Sequence, residues 1–247
     1  DTLYYEELEM KLTVLESKKQ LPISFFDYNN KMVNKMTFLM NKNAKVQSII
    51  DQVKAEVKLQ SKFPVRLLEV WNHKILKEYT PDSDVSNIHI ADRTVLRAEQ
   101  VHPDEMMADN PPKDDDNNSE YPVNKFWNPK YKVIQCQHFC SESSTVGQNH
   151  RVFGDPFYLV VYSGEPLSSI KARIQKRLLI SDKPFASWKY AILNYMQPSF
   201  LDDESLDVYD AFEKERFHHH KSTLGLQHKD PNPKRRYANR NAIKITG

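Results

Sequence analysis

Glycine is scarce in this chain, five residues in 247. Glycine-rich phosphate cradles, and the large α/β enzymes built around them, are therefore not expected. Cysteine is scarcer: Cys136 and Cys140 stand alone, too few for a disulfide scaffold, so a reducing cytoplasmic or nuclear setting is expected. No apolar run approaches the ~18 residues of a membrane-spanning helix, and no basic-then-apolar opening reads as a signal peptide. An excess of one charge sign is missing too. Lys and Arg together number 35 against 33 Asp and Glu, so net charge singles out neither a nucleic acid nor a membrane as partner. A chain that opens on Asp1 rather than Met is expected to be a piece of a longer protein. Its length suits one large or two small domains.

What is present is one pattern that occurs twice. After an ambiguous lead-in, with a helical turn expected near Val14–Lys18, Leu21–Tyr28 alternates as a strand. Asn29-Asn30 supplies turn chemistry, because Asn tolerates positive φ, and Met32–Met40 alternates as the return strand. Lys45–Leu59 changes to helical period, with Val46, Ile49, Ile50, Val53 and Val57 on one face. Arg66–Trp71, Lys74–Tyr79 and Thr94–Val101 read as further strands. Hairpin, helix and further strands within about 80 residues is the order of a β-grasp domain, in which one helix covers one face of a mixed sheet.

Residues 103–125 break the pattern. Asp104, Glu105, Asp109, Asp114, Asp115, Asp116 and Glu120 sit among prolines and asparagines, which reads as a solvated acidic linker. The run lacks the glycine and spacing of a calcium loop. The order then returns: Tyr131–Phe139 as a strand, Ser141–His150 as a polar loop, and Phe157–Tyr162 as a strand ending at Ser163-Gly164. Leu167–Leu179 follows as a helix with Leu167, Ile170, Ile174 and Leu178 inward and Lys171, Arg173, Lys176 and Arg177 outward. Trp188–Leu193 is a third strand, and Phe200-Leu201 with Leu206–Phe212 finish the unit. The two modules stand roughly 120 residues apart. The expected fold class is α+β, with a lead-in at 1–18, a first β-grasp domain at 19–102, an acidic linker at 103–129, a second β-grasp domain at 130–227 and an extended basic tail at 228–247.

Candidate chemistry is sparse. Alternation places Cys136, His138 and Cys140 on one strand face, where three ligands would converge on a metal or a thiol would meet an imidazole. Zinc needs a fourth ligand or an open position, and His218, His219 and His220 are far along the chain. Neighbours on one strand are separated by the pleat repeat and are not set for proton transfer. A buried strand face with small thiols is the expected reading, with no metal, no cofactor and no catalytic residue in this chain.

The tail carries more. From His228 to Arg236 it is basic and interrupted by Pro231 and Pro233, which exclude a continuous helix; this run is expected to sit in water. Ala242-Ile243-Lys244-Ile245 then alternates as a short strand, and an isolated strand buries almost nothing. Two readings stand: a frayed end, or a segment that closes a sheet edge or docks as an added strand. Lys234, Arg235 and Arg236 with Tyr237 would suit phosphate contact, nuclear targeting or an acidic protein surface. A second aromatic platform is lacking, and no nucleic-acid partner is expected.

Residues across nearly the whole chain resemble a known family. Arg66–Ile75 (RLLEVWNHKI), Phe153–Leu178 (FGDPFYLVVYSGEPLSSIKARIQKRL), Leu224–His228 (LGLQH), Pro233–Ala238 (PKRRYA) and Ala242–Ile245 (AIKI) are similar, in order, to the C-terminal region of the herpesvirus-associated ubiquitin-specific proteases. The opening DTLYYEELEM resembles the plant and fungal members. The acidic linker, the Ser141–His150 loop and Phe200–Phe217 match less well. The resemblance implies two tandem ubiquitin-like domains, without an active site, of a deubiquitinating cysteine protease whose catalytic domain lies upstream. It implies that the terminal peptide folds back on that domain in cis and supports its active state. The partner-binding residues implied are Lys234, Arg235, Arg236, Tyr237, Ala242, Ile243, Lys244 and Ile245, with the two isoleucines as anchors. The family usually has a charged residue before AIKI, where this chain has Asn241. The implied partners are the catalytic domain of the same chain and, through the parent enzyme, ubiquitinated substrates and adaptors. Docking for substrates or adaptors is the alternative role. Burying two isoleucines supplies roughly 3–6 kcal/mol, against ~1–2 kcal/mol per residue ordered, so the tail needs its tether to act. The chain ends Ile245-Thr246-Gly247 and lacks the Gly-Gly terminus of a conjugated modifier.

Overall fold

The computed structural model describes residues 12–59, 63–109, 124–141, 150–194, 198–214 and 222–232. A short helix, α1 (Leu12–Glu16), leads into β1 (Lys18–Phe26) and its antiparallel partner β2 (Met32–Asn41). The turn between them is built by Asp27, whose Oδ1 accepts from the backbone N–H groups of Asn29 and Lys31 at 3.0 and 2.9 Å. Asn30 takes φ +66°, the left-handed conformation that Asn tolerates. Helix α2 (Val46–Glu56) follows, then β3 (Val65–Trp71), β4 (Lys74–Tyr79) and β5 (Thr94–Gln100). The sheet order is β2-β1-β5-β3-β4, with β1 and β5 parallel at its centre. Val46, Ile49, Ile50 and Val53 of α2 close on Leu21, Ile23, Phe25, Leu67, Leu96 and Ala98, all buried. The helical period in the sequence and the strand alternation meet in this one core.

Residues 103–109 differ from the solvated linker expected there. They form helix α3 (Pro103–Asp109), in which Pro103 and Ala108 are buried, and Asp104 and Glu105 are paired with arginines. An acidic run is solvated only when no cation is folded onto it; here two arginines arrive from distant strands and helices.

The second unit runs β6 (Tyr131–Ser141), β7 (His150–Tyr162), α4 (Leu167–Leu178), α5 (Asp182–Phe185), β8 (Lys189–Leu193), β9 (Ser199–Phe200), α6 (Val208–Lys214) and β10 (Thr223–Gln227). Its sheet order, β7-β6-β10-β8-β9, places the strands as the first sheet does, with a parallel central pair, β6 and β10. Leu167, Ile170 and Ile174 of α4 pack on Ile134, Cys136, Phe157, Leu159 and Val161. The closing strand is β10; much of the Leu206–Phe212 stretch lies instead in α6. β10 is five residues long and contains Gly225, so its strand signal is weak. The glycine is required by packing: a Cβ there would lie 2.6 Å from Leu193 Cγ and 2.8 Å from a Phe139 ring carbon.

Two of the four cations expected on the outer face of α4 are not solvated. Lys176 is exposed, but Arg177 is buried and the Arg173 side chain is only 17% exposed. Periodicity places them off the Ile170–Ile174 stripe correctly, but a second surface covers them.

Candidate functional site

That second surface is the first unit. β7 is an edge strand, and an edge strand leaves a row of backbone groups without a ladder partner. Its outward carbonyls are met one by one by side chains. Gly154 O accepts from His73 Nδ1 at 2.6 Å, Pro156 O from Arg97 Nη1 at 2.7 Å, Tyr158 O from Arg177 Nη1, and Val160 O from Arg173 Nη2 at 2.9 Å. His73 and Arg97 belong to the first unit, Arg173 and Arg177 to α4. The spacing of two residues is that of a strand.

The carbonyls at 154 and 156 reach the first unit because β7 bulges. Cys136 pairs with Phe157 and His138 with Phe153, so Gly154, Asp155 and Pro156 stand opposite Gln137 alone. Gly154 has φ +67°, which glycine adopts without steric cost. The sequence reading began this strand at Phe157, after Gly154-Asp155-Pro156. That tripeptide is a bulge inside a longer strand. Asn30 Nδ2 donates to Asp155 O at 3.1 Å, and Gln137 Nε2 to His73 O at 2.8 Å. Tyr158 lies on Leu68, Val70 and Ile75, under the Arg66 guanidinium at 4.7 Å.

An ion-pair network fills the same junction. Glu99, 2% exposed, lies 2.5 Å from Arg97 and 2.6 Å from Arg66. Arg66 also holds Glu105 at 2.6 Å, and Arg173 holds Asp104 and the fully buried Glu165, each at 2.8 Å. Burial opposes the charge on Glu99, but Arg97 and Arg66 outweigh it and hold its pKa below the usual carboxylate value. Asp104 is lowered in the same way, burial being outweighed chiefly by Arg173. Burial also works against Arg66, and Glu99 and Glu105 override it, raising its pKa. His102, beside them, is pushed down to about 3 by burial and then by Arg177, so it is neutral at pH 7.

A cleft of about 870 Å³ opens beside this network, between the β1–β2 turn, α4 and the segment Asn124–Phe126. Arg177, Arg173, Lys176 and Lys125 line it.

The root of the C-terminal segment is the second feature. His228 N donates to Phe139 O at 3.0 Å, extending the β10–β6 ladder by one bond. The His228 ring stacks on Trp188, with centroids 3.9 Å apart and planes 2° apart, and touches Phe153 edgewise. His228 Nδ1 is 3.0 Å from Lys229 O and its Nε2 is 2.9 Å from His138 Nδ1. A carbonyl only accepts, so neutral His228 carries its proton on Nδ1 and receives the His138 proton at Nε2. Burial, then His228, pushes His138 down to about 3. Asp230, buried, pairs with Arg151 at 2.8 Å and accepts from Asn232 N at 2.8 Å. The sequence reading left 228–232 in water. The structure packs it, because Trp188 supplies a face for His228 and Arg151 a cation for Asp230.

Cys136 lies in the core with its thiol pushed up to about 12, chiefly by burial, so it is neither nucleophile nor thiolate ligand at pH 7. His138 is committed to His228. Among the described residues no group of three or more His, Cys, Asp or Glu is placed to hold a metal. The expected tail residues Lys234, Arg235, Arg236, Tyr237, Ala242, Ile243, Lys244 and Ile245, and His218–His220, lie outside the described residues. Sequence reasoning missed Arg97, Glu99, Arg177 and His228. For the first two the signal was weak: two charges, Arg97 and Glu99, flanking Ala98 near the end of β5.

The family model described as Ubiquitin-specific protease C-terminal matches residues 2–233. Ubiquitin C-terminal hydrolase 12 of Arabidopsis thaliana is 35% identical over 96% of this chain and 20% of its own length. Ubiquitin carboxyl-terminal hydrolase 15 of Schizosaccharomyces pombe is 29% identical over 95% and 19%. Ubiquitin carboxyl-terminal hydrolase 7 of Drosophila melanogaster is 24% identical over 98% and 20%. The chain spans about a fifth of the length of these curated relatives.

Proposed function

The chain belongs to the ubiquitin-specific protease C-terminal family, and on that premise we propose that it is the non-catalytic regulatory region of a deubiquitinating cysteine protease. Its two units are read as tandem ubiquitin-like β-grasp domains, residues 19–102 and 130–227, joined by 103–129. The shared strand order, with a parallel central pair and one long helix across each sheet, supports this reading. The segment 228–247 presents Lys234–Tyr237 and Ala242–Ile245 to the catalytic domain of the same polypeptide, in the cytoplasm or nucleus. Ubiquitinated substrates and adaptors are partners of the parent enzyme.

The observation that carries the proposal is the fixed root of that segment. A weak peptide acts in cis only if its tether keeps its effective concentration high, and a peptide that biases a conformational equilibrium must bind one state better than the other. His228 stacked on Trp188 and Asp230 paired with Arg151 give the segment a definite origin. The junction of buried arginines gives that origin a firm base. In the full-length enzyme, Ile243→Asp with Ile245→Asp lowers kcat/KM on a ubiquitin substrate by about tenfold, the scale of a typical coupling energy. Unchanged turnover by a folded variant refutes the reading. A second reading, a docking scaffold for substrates or adaptors, is favoured by the cationic cleft between the units.

A further inference from the structure

Arg177 is the unusual residue of the junction. It is 5% exposed, its Nε has no hydrogen-bond partner, and its Nη1 bonds only a neutral carbonyl, Tyr158 O. Its three neighbours Arg66, Arg97 and Arg173 each hold a carboxylate; among the described residues Arg177 holds none. Burial lowers its pKa below the ordinary guanidinium value, with Glu105 and Glu99 offsetting part of the effect. Buried charges are ordinarily paired, whereas Arg177 forms no direct ion pair among the described residues and feels Glu105 and Glu99 only at longer range. It lines the cleft of about 870 Å³ together with Lys176 and Lys125, both exposed. Among the described residues, the one carboxylate in that lining, Asp104, is already bound to Arg173.

We propose that this cleft binds an acidic peptide segment of a partner protein, one carboxylate of which pairs with Arg177 while others meet Lys176 and Lys125. The volume is that of a pocket for a short ligand segment. Its walls mix these cations with Phe126, Pro166 and Leu179, which suits carboxylates carried on an apolar peptide stem. A nucleic acid fits less well. Single strands want stacking platforms along a charged track, whereas Tyr28 already packs edgewise on Phe63 and His102 and the cations are gathered on α4 and its neighbour. None of the described residues 228–232 lines the cleft, and the proposal holds whether or not the terminal segment activates the enzyme.

The test is fluorescence anisotropy on the 247-residue chain with a labelled octaglutamate peptide, an octaglutamine control and a labelled ten-nucleotide oligo(dT). Measurements are repeated with Asp114, Asp115 and Asp116 changed to Asn, which removes competing carboxylates of the chain itself. The glutamate peptide is expected to bind, the glutamine peptide not. Lys125→Glu with Lys176→Glu, two exposed changes that leave the fold intact, weakens binding about tenfold or more; Arg177→Met, where folded by circular dichroism, does so too. Lys35→Glu with Lys42→Glu, exposed positions outside the cleft, leaves it unchanged. The proposal is overturned by absence of glutamate-peptide binding, by equal losses in the two lysine pairs, or by oligo(dT) binding more tightly than the peptide through the same residues.

Discussion

Replacing Arg97 by methionine tests the junction most sharply. The side chain is 2% exposed. Its guanidinium donates to Pro156 O at 2.7 Å and Asn30 Oδ1 at 2.5 Å, stands 2.5 Å from Glu99, and lies over the Phe26 ring at 3.9 Å. Methionine keeps the stem and removes the charge. Glu99 is then left with Arg66 as its one direct ion-pair partner among the described residues, and Pro156 O loses its donor in a buried contact. Breaking a buried pair from one side costs about 3–5 kcal/mol, less where Arg66 stays on Glu99, and an unmet buried carbonyl adds about 1–3 kcal/mol. Against a typical domain stability of about 5–15 kcal/mol, such a loss shifts the urea midpoint well outside error. Arg97→Met with Glu99→Met should cost less than the sum of the two single changes, because the double variant leaves neither of the pair's own charges buried. Urea unfolding of the four proteins, followed by tryptophan fluorescence, gives the cycle. A single-variant loss under about 1 kcal/mol, or strict additivity of the pair, refutes the claim that Arg97 locks the units through Glu99 and β7.

Other outcomes follow from the same structure. Acid should destabilise the fold well above the carboxylate range: His102 and His138 fall from 6.5 to about 3 on folding, so the unfolded chain binds more protons between those values and stability is lost as pH falls through that window. Each contributes about 2 kcal/mol between pH 7 and pH 5; urea unfolding at the two pH values checks this, and a flat profile counts against neutral burial. Gly225→Ala forces Leu193 or Phe139 to move and should cost about 1–3 kcal/mol, read as a lower thermal midpoint; an unchanged midpoint shows that the strand has room.

The elements that bury one face were legible in the sequence. α2 and α4 show their stripes, the first hairpin its Asn turn, and β3 to β5 their alternation, because one-sided burial leaves a period. What was not legible is burial on the second side. Arg97, Glu99, Arg173 and Arg177 look solvated in any local reading, and only the docking of one unit on the other makes them interior. The acidic run at 104–105 hid for the same reason: its partners Arg66 and Arg173 come from elsewhere in the chain. β10 was hidden by its brevity and by Gly225, and the His228 root by a basic, proline-interrupted run that read as solvated. The tail residues Lys234–Tyr237 and Ala242–Ile245 lie outside the described residues, so their reading rests on alternation and family resemblance alone.

The central claim is that residues 234–247 activate a catalytic domain from a fixed platform. The direct measurement is kcat/KM for a ubiquitin substrate in the full-length parent enzyme, with and without those residues, the fold being verified by an unchanged unfolding midpoint. Deletion is expected to lower it about tenfold. Equal turnover with and without the segment contradicts the claim.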